Sequence, residues 1–308
     1  MRRTVNKAVK FRGIGLHGGQ PVVLTVAPAA ARAGIVFHRT DAGPAARPIP
    51  ARYDAVDDTC LRTRLSNGDG LCVDTVEHLM AALAGCAISD ARITLDGPEV
   101  PIMDGSAVVF VRAFMRAGIR DLGVPWRAIR LLEPVRVTMA GKSAELAPAP
   151  RFEMDFSVSF ADPAIGRQSR HLVLTGGAIV SELSDSRTFG SLADVEMLRR
   201  SGLGRGGGLE NAVIVDRGRI LNPGGLRHPD EFVRHKMLDA VGDLALAGAP
   251  IIGRYTGVRA GHEITNLLLR KLFSRPEAWT RCELRPGQGP GGALHPPAVQ
   301  VSDAPIAV

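Results

Sequence analysis

The stretch Arg234-His235-Lys236-Met237-Leu238-Asp239-Ala240-Val241-Gly242-Asp243 constrains this chain most. Pro229 ahead of it, Asp230 and Glu231 in the first turn and Gly248 beyond its end are helix signals. At about 100° per residue, His235, Asp239 and Asp243 fall on one narrow stripe, which Phe232 and Leu246 extend. Val233, Met237, Val241 and Leu244 make an opposite apolar face, so the helix is expected to be buried nearly all round. Burying two carboxylates is costly unless they are paired or bound to a cation. His-x-x-x-Asp sets two ligands one turn apart, where both can meet one ion. Ordinary internal hydrogen bonds between histidine and aspartate fit the same spacing, and this stretch alone leaves both readings open.

A second helix is expected over 74–85, with Asp74 as N-cap, Glu77 three residues on and Gly85 as C-cap. Val76, Leu79, Met80 and Leu83 form its packed face. Glu77 has a local reading as a capping-box partner, whereas His78 has none. Neighbouring helical residues point about 100° apart, so His78 could hold a metal while Glu77 reaches a water on it. The pair supplies what the later helix lacks, a third ligand and a general base.

The 308 residues suffice for two domains, and with few aromatic residues the core must be aliphatic. A formal charge of +7 favours an anionic partner: nucleic acid, an anionic membrane surface or a phosphorylated substrate. Cys60, Cys72, Cys86 and Cys282 form no C-x-x-C pair, which fits a reducing compartment and argues against a cysteine zinc site. No apolar run approaches the ~20 residues of a membrane span, and the basic start has no signal core after it. A soluble cytoplasmic protein is expected.

Along the first half, residues 5–19 read as a strand entering a glycine-rich turn, in which His17 is either a phosphate contact or a plain turn residue. Residues 21–27, 34–39 and 90–96 read as strands, and a helix opens near Asp104 and Ser106. Residues 118–125 read as the link between halves. In the second half, strands are expected over 129–139, 142–148, 152–160, 211–216 and 251–258. Thr188 is a candidate oxyanion donor and Phe189 a candidate sugar-stacking ring, in a segment that fits loop filler equally. A short amphipathic helix over 192–200 leads to the glycine-rich run 201–208. That run lacks the Lys-Ser/Thr ending of a P-loop and follows no strand, so a mobile lid or an insertion is expected. His262 opens a helix whose positive end disfavours imidazolium, a shift that a carboxylate such as Asp243 opposes. Both halves place strands first and helices after.

Thr75-Val76-Glu77-His78-Leu79-Met80-Ala81-Ala82-Leu83, Ser186-Arg187-Thr188-Phe189-Gly190, the 234–243 stretch and Gly261-His262 occur in this order. Together with Gly13-Ile14-Gly15-Leu16-His17 and Pro101-Ile102-Met103-Asp104-Gly105-Ser106, the set closely resembles the UDP-3-O-acyl-N-acetylglucosamine deacetylases, zinc enzymes of lipid A synthesis. The resemblance runs from about residue 3 to 279. It implies an α+β fold of two similar domains, each a sheet layered against helices, with the active site between them. It implies an N-terminal domain over 1–124, a C-terminal domain over 125–284 with an acyl-channel insert near 191–208, and a Gly- and Pro-rich tail over 285–308. It implies one catalytic Zn2+, or Fe2+ in its place, on His78, His235 and Asp239, with Glu77 as general base. His262 matches the general acid or oxyanion stabiliser, Asp243 its carboxylate partner and Thr188 the residue beside the oxyanion. Phe189 matches a substrate-contacting ring and Lys236 a substrate-binding cation. The implied partner is a UDP-linked acylated amino sugar, acted on by a monomer with at most peripheral membrane contact and no nucleic acid. Gly18, Ser191, Gly208 and Thr265 depart from the usual residues at their positions. The rival readings are a zinc amidohydrolase acting on another substrate and a basic nucleic-acid-binding α/β protein; the second leaves Asp239 and Asp243 unexplained and wants aromatics this chain lacks.

Overall fold

Side-chain alternation builds the sheets. In Pro21–Pro28 the inward residues are Val22, Leu24 and Val26, and in Glu153–Ser159 they are Met154, Phe156 and Val158. One buried and one open face follow from that period of two. The coordinates, a computed structural model, describe residues 1–284; the tail expected over 285–308 lies outside the described residues. Among the described residues are two five-stranded sheets. The first runs, in spatial order, Val9–Ile14, Pro21–Pro28, Ala91–Leu95, Ile35–Arg39 and Ile49–Pro50. The second runs Val135–Met139, Lys142–Ala147, Arg254–Val258, Glu153–Ser159 and Arg167–Val173. Both sheets therefore have their strands in the order first, second, fifth, third, fourth. In both, the pair between fifth and third is the parallel one. The likeness of the halves, visible in the sequence only in outline, is thus a shared topology.

Four smaller sheets and five α-helices accompany these two sheets among the described residues, the helices being α1 (Glu77–Gly85), α2 (Val108–Ala117), α3 (Leu192–Arg200), α4 (Glu231–Ala245) and α5 (His262–Phe273). Phe110 and Phe114 of α2 meet Phe11 edge-on, with ring centroids 4.9 and 6.1 Å away. Helices α4 and α5 cover the second sheet, and α1 crosses α4. The layers are sheet, helices, helices, sheet, as the expected α+β fold requires. One aliphatic cluster is continuous across them, from Leu24 and Ile93 through Leu79 and Val241 to Met154 and Leu268. No helix of the described residues is long and apolar enough to cross a membrane.

Several local expectations are corrected. The strand expected over 129–139 is two strands, Arg127–Leu131 and Val135–Met139, in different sheets. Pro134 has no N–H for a ladder, and the Glu133 N–H turns to the Ala278 carbonyl instead. Likewise 251–258 breaks at Gly253, where a side-chain carbon would come within 2.9 Å of the Ala147 carbonyl oxygen. Asp74 does not cap α1, which starts at Glu77; its carboxylate is taken by Arg62 and Arg64 at 2.8 and 2.6 Å. The link over 118–125 contains Ile119–Asp121, paired with Arg3–Val5. Apart from these corrections, the 201–208 run meets the N-terminal turn, with Arg205 and Gly206 N–H groups donating to His17 and Leu16 carbonyls at 3.2 and 3.0 Å.

The α1–α4 crossing is a backbone contact. A side-chain carbon on Gly242 would overlap the Glu77 carbonyl oxygen and crowd its backbone. Gly242→Ala is expected to overpack this crossing by about 1–3 kcal/mol. Thermal denaturation and elemental analysis should show a lower Tm and less bound metal; unchanged values of both would mean the helices do not need so close an approach.

Candidate active site

Gly242 lets α4 lie against the first turn of α1, so residues far apart in sequence share one buried cluster. One ligand atom each from His78, His235 and Asp239 lies within 4.8 Å of the others, and all three residues are buried. Asp239 Oδ1 stands 3.2 Å from His235 Nε2 and 3.5 Å from His78 Nε2. His235 Nδ1 is 3.0 Å from the Ser186 carbonyl oxygen, an acceptor that can only receive. That bond assigns the proton to Nδ1 and leaves a lone pair on Nε2. Burial drives this imidazole down to about 4 against the opposing Asp239 carboxylate, so it is neutral at neutral pH. Two lone pairs then face each other, and Asp239 Oδ1 has no hydrogen-bond partner. A buried acceptor without a donor, ringed by imidazole nitrogens, fits a divalent cation. The other oxygen, Oδ2, accepts from Lys236 Nζ at 2.6 Å. Burial would raise the Asp239 carboxyl, but the His235 and Lys236 charges hold it well below its ordinary range.

Beside this cluster lies a second set. Glu77 Oε2 accepts from the Thr63 N–H at 3.1 Å, while Oε1 faces His262 Nε2 across 3.9 Å. Glu77 thus does not serve as a capping-box partner. His262 opens α5 and donates from Nδ1 to Asp243 Oδ2 at 2.8 Å. Asp243 Oδ1 accepts from the Thr63 hydroxyl at 2.6 Å. Burial raises the Glu77 carboxyl, with the His262 and His78 charges opposing. Burial would lower His262, yet the Asp243 carboxylate, by charge and hydrogen bond, pushes it up to about 9.

Both sets open on a cavity of about 1060 Å³. Glu77, His78, His235, Asp239 and His262 lie on its wall, with Thr188, Phe189 and Lys236. Asp243 stands behind His262 and outside that wall. Phe189 packs edge-on to Phe160, Phe232 and the His235 ring. Met197 and Leu198 of α3 also line it, with Leu16 and Ile264. The structure therefore brings together all nine residues singled out from the sequence, eight on the cavity and one directly behind it.

Comparison with known proteins agrees in extent. The family model for UDP-3-O-acyl N-acetylglycosamine deacetylase matches residues 2–274. The chain is 50% identical over 278 residues to the UDP-3-O-acyl-N-acetylglucosamine deacetylase of Phenylobacterium zucineum (strain HLK1), covering 90% of this chain and 95% of that one. It is 46% identical over 280 residues to the enzyme of that name from Shewanella sp. (strain W3-18-1), covering 90% and 91%. This chain belongs to the deacetylase family.

In this member of the deacetylase family, three supporting residues escaped the sequence reading. Thr63 ties Glu77 to Asp243. Glu99 accepts from the N–H groups of His17 and Gly18, both at 2.8 Å, and from the Thr75 hydroxyl at 2.9 Å, so it anchors the N-terminal turn to the entry of α1. Glu231, fully buried, accepts from the Arg187 N–H and Nε at 3.0 and 2.9 Å and from Arg187 Nη2 at 3.0 Å. That clamp holds the 186–189 segment against α4, which presents the Ser186 carbonyl to His235. Glu231 was signalled: it sits four residues before His235, on the stripe that Asp239 and Asp243 continue. His17 is buried with neither ring nitrogen paired, and burial lowers its pKa.

Arg187→Ala leaves Glu231 buried without its cation. The loss is expected at about 3–5 kcal/mol, read from urea denaturation. A change near zero would show that the clamp does not hold the segment.

Proposed function

We propose that this chain hydrolyses the N-acetyl group of UDP-3-O-acyl-N-acetylglucosamine to acetate and the free amine, an early committed step of lipid A biosynthesis. The supporting observation is the buried His78, His235 and Asp239 cluster with its unpaired carboxylate oxygen, next to the Glu77–His262 pair on one cavity. His78, His235 and Asp239 would hold one Zn2+, or Fe2+ in its place; when bound, the ion supplies a Lewis acid and lowers the pKa of water towards about 7.

Glu77 Oε2 is occupied by the Thr63 N–H, so Oε1 takes the proton from the attacking water. At 3.9 Å, Oε1 and His262 Nε2 are too far apart for a hydrogen bond to each other, so both can turn to one reacting group lying beside them. Asp243 accepts the hydrogen bond of the His262 Nδ1–H, so the imidazolium is held and Nε2 gives the proton that the leaving nitrogen takes as the C–N bond breaks. Before that step the same imidazolium, with Thr188 beside the carbonyl, stabilises the oxyanion. Phe189 offers a ring to the sugar and Lys236 a cation to the diphosphate. The insert over 191–208, with Met197 and Leu198 on the cavity, encloses the acyl chain. Residues 1–124 and 125–284 act as the two domains flanking the substrate. The enzyme works as a cytoplasmic monomer with at most peripheral membrane contact.

The deciding assay is acetate release from the UDP-sugar, abolished by a chelator and restored by zinc. In it Glu77→Ala is expected to keep its metal and lose most turnover, while His78→Ala loses metal by elemental analysis. Full turnover in the first or full metal in the second would remove that residue from its role. The high-pH limb offers a separate check. His262 must stay protonated, so kcat/KM falls as pH rises through its pKa of about 9. Asp243→Asn removes the charge that raises it, and the limb is expected to move down towards the ordinary 6.5. An unmoved limb would assign it to another group.

A further inference from the structure

The helices that carry the metal cluster have a second cavity at their far ends, of about 360 Å³. That is the size of a small-ligand site, roughly 300–1,000 Å³. Its wall is apolar: Met80, Leu83 and Ala84 from α1, Ala245 from α4, with Ile35 and Ile88 beside them. Its rim is cationic, with Arg2, Arg32, Arg52 and Arg281, and no carboxylate of the described residues lines it. It shares no residue with the catalytic cavity.

Two of the four arginines are already neutralised. Arg2 pairs with Asp90 and Arg52 with Asp54, both at 2.7 Å. Arg32 and Arg281 have no carboxylate partner among the described residues; Arg281 lies over the Trp279 ring, 5.8 Å from its centroid. On the same wall the indole N–H of Trp126 is buried without an acceptor. Two guanidinium groups with no carboxylate partner among the described residues, beside an apolar wall, point to an anionic head joined to an apolar tail.

We propose that this cavity binds a single-chain anionic amphiphile. Its tail lies on the apolar wall of α1 and α4, and its phosphate or carboxylate head meets Arg32 and Arg281, with the Trp126 ring on the same wall. The assignment stands on this cavity alone and does not depend on the reaction proposed for the other.

Trp126 and Trp279 are the two tryptophans of the chain, and neither lines the catalytic cavity. In metal-loaded Trp279→Phe protein, Trp126 emission reports this cavity. Octyl phosphate and octanoate are expected to shift it saturably. Octanol, octyltrimethylammonium and inorganic phosphate, which lack the charge, its sign or the tail, should bind at least roughly tenfold more weakly. Combining Arg32→Glu with Arg281→Glu, both at exposed positions, should weaken octyl phosphate by roughly tenfold or more and leave acetate release without amphiphile unchanged. Equal affinity for octanol, or an undiminished affinity in the doubly reversed protein, would overturn the proposal. Phosphatidylglycerol vesicles carry a similar head in a bilayer and should leave the emission unmoved; a saturable response to them would overturn the assignment to a free amphiphile.

Discussion

Two helix backbones touch where Gly242 of α4 meets the Glu77 carbonyl of α1, and the site is built outwards from that contact. Any side chain there would push the helices apart, and His78 would leave the reach of His235 and Asp239. Close approach also removes water, which makes every charge near the crossing expensive unless it is answered. Asp243 is answered by Thr63 and His262, Glu231 by Arg187, and one oxygen of Asp239 by Lys236. The other oxygen of Asp239 remains, between two imidazoles. The electrostatics of the crossing are complete except where a cation belongs.

The two oxygens of Asp239 therefore do different work. Lys236, expected from the family resemblance to face substrate, is also the cation that holds Oδ2. Burial alone would lower its pKa, but Asp239 raises it, so it keeps its charge beside the cavity. A lysine so placed orients a ligand carboxylate and still presents positive potential to an anionic substrate.

What the sequence made legible was local. His235, Asp239 and Asp243 follow one another at helical spacing, and Glu77-His78 opens a second helix with its own cap and apolar signals, one that is buried nearly all round. Thr63 was not legible, because its bond to Asp243 spans 180 residues and a threonine in a short loop carries no pattern. Glu99 looked like turn material since its partners are backbone N–H groups. The strand Arg167–Val173 went unread because it leaves neither face fully buried, as an edge strand does. Continuous runs such as 129–139 hid a change of sheet, which only Pro134 betrayed. Asp74 looked like a cap because its competing arginines, Arg62 and Arg64, lie ten or more residues away. The doubled sheet order could not be seen at all, since topology survives where residue likeness does not.

The acceptor that sets the His235 tautomer is the carbonyl of Ser186, a main-chain atom. Every amino acid brings the same oxygen to that position. No single codon change at 186 can delete the functional group, as it could delete an aspartate or glutamate in the same post. The vulnerability moves to geometry, to whatever keeps the peptide facing the ring, and that is the Arg187–Glu231 clamp. Genetic drift can rewrite the side chain at 186 within the limits of its buried volume, while the ring's protonation pattern is inherited from the backbone itself.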